Sequence, residues 1–337
     1  MWRGWAKAHD DSFLLTGSAR LRGEAKVGAR ATSTLRRNVR RCGAHDADED
    51  DSRRMRLEVR ELSLAYGDVV ALRNLSAEVN GRVIGVLGAT ASGKTSLLQI
   101  IAGQIAPTGG EVRIDGKVVL PGKRRDVAYV PQETGAFPYF QRPRETLALG
   151  LAVRGVQASD YPQQFLDALG LGDDDRSATG YSAGMKQKAR IAYAMIHTPK
   201  LLLLDEPMTA LDIRERFRVL RLLDRVRHLA VIVFSTHHPE DAAAICDEIL
   251  ILHRGQAVAW GSPSDITARA AGQVFERSIP LGSLPAGKHW DLVSAERDGD
   301  HLHLRIVGEA PSDARPVPPR LTDAYVLLTA RSVTGPN

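Results

Sequence analysis

An α/β fold built on a mostly parallel sheet is predicted by three features of the chain. The apolar runs Val83–Leu87, Leu201–Leu204 and Val231–Phe234 lack alternation, which suits strands covered on both faces. The first run ends in a glycine-bearing loop, Gly88–Thr95, followed by a stretch read as a helix over Ser96–Gln104. Between the first and second runs, Glu145–Gly170 has helical character, with Pro143 as a start and Gly155 and Gly170 as stops.

Taken in order, residues 1–54 differ from the rest. They carry ten Arg and two Lys against eight acidic residues, including Arg-Arg pairs and the acidic tract Asp46–Asp51. Apolar periodicity is lacking, so the segment reads as disordered. No apolar stretch follows the arginine pairs, which disfavours an export signal, and the acidic tract fits a presequence badly. Met55 opens an alternating strand, Met-Arg-Leu-Glu-Val-Arg-Glu-Leu-Ser-Leu. The working protein is therefore expected to start there, with residues 1–54 a non-native extension. Residues 55–265 read as one α/β domain. Residues 266–337 read as a small extension, with an alternating strand over His301–Val307 and a proline-rich loop over Pro311–Pro319.

The bulk numbers exclude several classes. The net charge is +5, but residues beyond 54 retain only +1, so no basic footprint for nucleic acid remains. The two cysteines, Cys42 and Cys246, follow no metal or disulfide spacing; Cys246 reads as a small buried packing residue. No run reaches the ~18 apolar residues a membrane helix needs.

The chemistry lies in three segments. Gly88-Ala89-Thr90-Ala91-Ser92-Gly93-Lys94-Thr95 meets the G-x-x-x-x-G-K-T pattern, with a strand before it and a helix after it. Small residues let backbone N–H groups wrap phosphate oxygens, and the helix start adds positive potential. Lys94 can reach the β- and γ-phosphates, and the Thr95 hydroxyl can ligate Mg²⁺; Ser96 continues the same turn. Leu201–Leu204 runs into Asp205-Glu206-Pro207, placing two carboxylates at a strand's C-terminal edge, where open α/β sheets bind ligands. Asp205 suits Mg²⁺, and Glu206 suits a general base acting on water. Tyr181-Ser182-Ala183-Gly184-Met185 precedes a helix expected over Met185–His197. Ser182 there is either a plain N-cap or part of an anion site.

With Gln132, Thr209-Ala210-Leu211-Asp212 and Ser235-Thr236-His237 added, six motifs stand in an order that resembles the ATP-binding subunits of ABC transporters, over about Met55–Pro263. The stretch Tyr-Ser-x-Gly-Met-Lys-Gln-Lys and the acidic-Tyr segment Leu321-Thr322-Asp323-Ala324-Tyr325 are similar to subunits serving type-2 export permeases. The resemblance implies a P-loop NTPase cassette with N-terminal antiparallel strands and a helical subdomain at about 134–190. It implies that Tyr66 stacks on adenine and that Gln132 touches Mg²⁺ and the attacking water and senses the membrane partner. It further implies that Ser182 and Gly184 grip the ATP of an opposite subunit, that Asp212 lies at the dimer seam, and that His237 contacts the γ-phosphate. His238 then reads as a surface or packing residue. The implied partners are a separately encoded permease and a second cassette, at the cytoplasmic face of the membrane, with ATP and Mg²⁺ as cofactors.

Departures from the family pattern are Ala91, Ala183 and Met185, where glycine, glycine and often glutamine are usual. Ala91 puts a Cβ where backbone wraps phosphate, so weaker ATP affinity is expected. The competing reading is a soluble ABC ATPase acting on ribosomes or nucleic acid. Such proteins usually carry two cassettes, a coiled coil or zinc modules, none of which is visible in the sequence.

Overall fold

A computed structural model describes residues 54–122, 124, 126–132, 145, 180–196, 198–284, 290–309 and 311–334. Of the extension expected over 1–54, the helical insert expected over 145–170 and the subdomain expected over 134–190, only residues 54, 145 and 180–190 lie within these residues.

The chain opens with an antiparallel pair, β1 (Met55–Tyr66) and β2 (Val69–Gly81), then β3 (Val83–Leu87) and the helix α1 (Lys94–Ile101). Strands β4 (Gly109–Ile114), β5 (Lys117–Val118) and β6 (Val127–Val130) follow, then α2 (Ala183–Ile196), β7 (Leu201–Leu204) and α3 (Ile213–Val226). Next come β8 (Val231–Thr236), α4 (Pro239–Ile245), β9 (Glu248–His253), β10 (Gln256–Gly261) and α5 (Pro263–Ala268). The C-terminal part holds β11 (Val274–Pro280), β12 (Trp290–Asp298), β13 (His301–Gly308), β14 (Arg315–Pro316) and α6 (Leu321–Thr334).

The central sheet has the order β10-β9-β3-β8-β7-β6. Its inner pairings are parallel, and only β10 runs antiparallel at the edge. Its non-alternating strands are buried on both sides. Leu202 and Leu204 of β7 pack with Ile191 of α2 and Leu223 of α3, while Leu201 and Leu203 pack with Leu97 and Leu98 of α1 and Leu57 of β1. Each such leucine contributes about 1.5–3 kcal/mol of burial, which holds a polar-free strand in the middle layer.

The second sheet, β2-β1-β4-β5, lies over the α1 face. The alternation read at Met55 breaks at Glu58, which is buried although charged. Arg60 reaches Glu58 at 2.6 Å and Arg56 at 3.5 Å, which compensates its carboxylate. The phase then slips between Val59 and Leu62, where Glu61 adopts φ +46°.

The third sheet, β12-β13-β11-β14, packs with α6. The boundary expected after residue 265 falls inside α5. Ile266 of that helix shares a buried cluster with Leu87 and Ala242 on one side and Val274, Val307, Leu321 and Ala324 on the other. The C-terminal unit therefore shares a core with the central sheet.

Candidate functional site

Four parallel strands end at one edge of the central sheet, and each delivers one piece of the site. The loop Gly88–Lys94 leaves β3, Gln132 lies two residues past β6, Asp205 and Glu206 follow β7, and His237 follows β8. This is the edge at which open α/β sheets hold ligands. Sheet register fixes the neighbours. Leu204 pairs with both Phe234 and Val130, so Asp205 emerges beside Ser235.

The helix expected from Ser96 begins at Lys94, directly on the loop, and closes at Ile101. Gly93 supplies the turn into it at φ +101°, and a Cβ there would stand 2.7 Å from the Ala71 carbonyl oxygen. Ala91 also has positive φ, +63°, a region that costs an alanine about 1–2 kcal/mol. Ala89, Thr90, Ala91 and Thr95 are exposed, whereas Gly88, Ser92, Lys94 and Ser96 are buried. The Ser92 hydroxyl is buried without a partner among the described residues. The Lys94 ammonium donates to the carbonyls of Gly88 and Ala89 at 2.8 and 2.9 Å and pairs with Glu206 Oε1 at 3.1 Å.

The two carboxylates have different surroundings. Asp205 is buried; Oδ1 accepts from the Ser235 hydroxyl at 2.6 Å and Oδ2 from the Tyr129 hydroxyl at 3.2 Å. Burial, reinforced by the Asp205 carboxylate, pushes the Tyr129 hydroxyl well above its usual value, so it stays a donor. Glu206 has φ +47°, and its backbone N–H donates to Ser235 Oγ at 2.7 Å. Its Oε2 meets His237 Nδ1 at 2.8 Å and accepts from the Thr209 hydroxyl at 3.0 Å. Burial pushes the Glu206 carboxyl up, but Lys94 and the His237 hydrogen bond outweigh it and hold it below the usual range. Glu206 is thus an ionised, oriented acceptor. Sequence reasoning quoted Tyr129, Thr209 and Ser235 only as motif context; their contacts depend on strand register and turn geometry.

His238 precedes α4 without a side-chain cap, and its ring lies 4.0 Å from that of His237. Tyr66 ends β1, half exposed, with its hydroxyl 3.5 Å from Ser96 Oγ and Gln99 Oε1, beside the helix that carries the loop. Gln132 is exposed. The Cys246 thiol is partly buried between two apolar clusters, and burial raises its pKa, which suits packing.

The signature segment lies before and within the first turn of α2. Ser182 Oγ accepts from Met185 N–H at 3.3 Å, an N-cap contact. Asp212 caps α3 by accepting from Glu215 N–H at 2.9 Å. Glu215 in turn lies against the signature: a Cβ on Gly184 would stand 2.3 Å from Glu215 Oε2. A side chain at Gly184 would therefore displace the Glu215 carboxylate from the contact of α2 with α3. Ser182, Gly184 and Asp212 touch none of the loop or carboxylate residues through any hydrogen bond or ion pair among the described residues.

Comparison with known proteins bears on the family of the chain. The ABC transporter family profile matches residues 72–209. An uncharacterized ABC transporter ATP-binding protein, YxlF of Bacillus subtilis (strain 168), is 32% identical over 229 residues, spanning 66% of this chain and 76% of that protein. The spermidine/putrescine import ATP-binding protein PotA of Legionella pneumophila (strain Paris) is 34% identical over 220 residues, and the match spans 60% of its length. A solved ATP-binding subunit of an ABC transporter superposes with a TM-score of 0.53 at 29% identity, covering 63% of this chain and 92% of that one. A bacterial Atm1-family ABC exporter with ATP bound shares the fold, with a TM-score of 0.56 at 22% identity over 64% of this chain and 40% of its own. No helix of the described residues is long and apolar enough to cross a membrane. Loop, paired carboxylates and relatives agree, and the chain belongs to the ATP-binding subunits of ABC transporters, which bind and hydrolyse ATP.

Proposed function

We propose that this subunit works as a homodimer at the cytoplasmic face of the membrane, where ATP hydrolysis drives export through a separately encoded permease. The observation that carries the catalytic part is Glu206, an ionised carboxylate oriented by His237, Thr209 and Lys94. The loop residues Gly88, Ala89, Thr90, Ala91, Ser92, Gly93, Lys94, Thr95 and Ser96 hold the phosphates, and Tyr66 covers the adenine. Glu206 takes a proton from the attacking water as its oxygen bonds to the γ-phosphorus and the bond to the ADP oxygen breaks. His237 keeps Glu206 and the water in line. Phosphate oxygens compete with Glu206 for the Lys94 ammonium, which frees the base as ATP seats.

The residues also fit Mg²⁺. Asp205 is a buried carboxylate held at both oxygens, Thr95 presents an exposed hydroxyl and Gln132 an exposed amide, all hard oxygen ligands. When bound, the ion neutralises charge on the β- and γ-phosphates.

Dimerisation is supported by the absence, among the described residues, of any hydrogen bond or ion pair between the signature residues and the loop or the carboxylates. Ser182 and Gly184 serve the ATP of the opposite subunit, and Asp212 lies at the seam. Export is supported by the Tyr-Ser-x-Gly-Met-Lys-Gln-Lys segment and the acidic-Tyr tail, although PotA is named for import. The full chain is expected to dimerise with Mg·ATP when hydrolysis is blocked and to co-purify with a multi-span membrane protein. Size-exclusion chromatography with light scattering and affinity capture check both; a monomer under saturating ATP contradicts the composite site.

The Ala91 strain gives a second measurable expectation. Ala91→Gly relieves about 1–2 kcal/mol of left-handed strain, partly offset by a looser unfolded chain. A higher melting temperature and tighter ATP binding are expected, by thermal unfolding and titration; a lower melting temperature speaks against the strained loop.

A further inference from the structure

Arg190 lies midway along α2, the helix that opens with the signature residues, and is buried although charged. Its guanidinium is a planar fork whose donors point in fixed directions. One arm donates to Gln187 Oε1 at 3.0 Å, one turn back on the same helix. Gln187 is itself buried, so this contact fixes the rotamer that aims the other arm. That arm leaves the helix and donates to the Pro131 carbonyl. Pro131 stands between β6 and Gln132. The residues before it are tied to β7. Val130 pairs with Leu204 and accepts from Asp205 N–H at 2.9 Å, and the Tyr129 hydroxyl donates to Asp205 Oδ2 at 3.2 Å. The ladder cannot continue in the same way, because proline has no N–H to offer. The carbonyl is the main-chain hydrogen-bonding group left at Pro131, and it shares one rigid peptide plane with the nitrogen and Cα of Gln132. Holding that carbonyl therefore sets the direction in which Gln132 starts. Val130 and Ile191 share a buried cluster, so α2 and the end of β6 are packed as well as bonded.

We infer that Arg190 is a positioning residue, which aims Gln132 at the ATP site by tying its peptide plane to the signature helix. Arg190 acts through Gln132 and not on the nucleotide. The phosphate loop hangs on another strand, β3, so turnover depends on this tie and ATP affinity does not. The signature segment and Gln132 are thereby held in one frame. The inference rests on the role proposed above for Gln132.

Full-length wild type, Arg190→Met, Gln132→Ala and the double variant are compared in steady-state ATPase kinetics, Mg·ATP titration and thermal unfolding. Methionine keeps an unbranched stem in the packing and removes the donors. Arg190→Met is expected to lower kcat about ten- to a hundredfold, the worth of a hydrogen bond from a charged group, with Kd for ATP little changed. In the Gln132→Ala chain the same substitution is expected to change kcat little, because the residue it positions is gone. In the nucleotide-free chain, the backbone amide NMR signal of Gln132 is expected to shift in Arg190→Met, since its N–H belongs to the peptide that loses the bond. Wild-type kcat in Arg190→Met, an unmoved Gln132 signal, or an equal loss of kcat in both backgrounds overturns the inference. A merely structural arginine would give that equal loss, with a lower melting temperature and weaker ATP binding alongside it. Should Arg190→Met fail to fold, Arg190→Lys, which keeps the charge but not the fork, takes its place under the same criteria. Wild-type turnover in Gln132→Ala removes the role of Gln132, and the inference with it. Reduced turnover there, with the Arg190→Met effect undiminished in that background, removes only the positioning role.

Discussion

Replacing Glu206 with Gln is expected to cut ATP turnover by about 10²–10⁴-fold, the range for loss of a general base, while ATP stays bound. The amide keeps the shape and can still accept from Thr209, but it cannot take a proton. The native carboxylate is kept ionised by Lys94 at 3.1 Å and by His237 at 2.8 Å. The backbone beneath it is strained at φ +47° and pinned through Ser235, so the amide occupies the same place. Removing the negative charge also releases the Lys94 ammonium for phosphate, so ATP affinity is expected to rise. Phosphate release under saturating Mg·ATP, with bound nucleotide measured separately, checks both parts. Turnover equal to wild type would remove Glu206 from the mechanism.

The largest expected effect on stability is at Asp323. Its side chain is fully buried and pairs with Arg305, itself only 7% exposed. The Asp323 carboxylate raises the Arg305 pKa further, so the guanidinium remains charged. Asp323→Ala leaves that charge buried with Glu276 and the Pro318 carbonyl as its remaining contacts. A loss of about 3–5 kcal/mol is expected, or roughly 10 °C in melting temperature for a chain of this size. Restoring apolar packing with Arg305→Met in the same chain is expected to recover most of the loss, because the isolated charge is the cost. Thermal and denaturant unfolding of the single and double variants measure this.

Much of this architecture was readable in the residues, for reasons of period and order. Four consecutive leucines ending in Asp205-Glu206 admit few structures other than a central parallel strand, and β7 has the predicted bounds. The ordered motifs likewise brought Lys94, Asp205, Glu206 and His237 to one sheet edge. Long-range compensation was not readable. His301–Val307 alternates, which suggests one wet face, yet Leu304 through Val307 are all buried. Leu304 and Ile306 face the Ile279 cluster, Val307 packs in the α6 cluster and Arg305 pairs with Asp323, so both faces are covered. Nothing within seven residues announces a partner eighteen positions away. Ser235 escaped for the same reason: its contact with Asp205 exists only once Leu204 is registered against Phe234.

The cluster joining Leu87 to α5 and α6 also decides how this chain comes apart. A module attached by a linker can melt or be cleaved away while its neighbour survives. Here the last strand residue before the phosphate loop and the C-terminal helix lose their packing together, so heat should unfold both in one cooperative transition. A chain shortened to end after β10 would present Leu87, Ile249 and Ile251 beside water in place of Leu321, Ala324 and Leu327. Such a surface invites association rather than catalysis. The C-terminal unit is thus not a detachable accessory, and recombination that swaps such tails among related cassettes must carry their apolar seam with it.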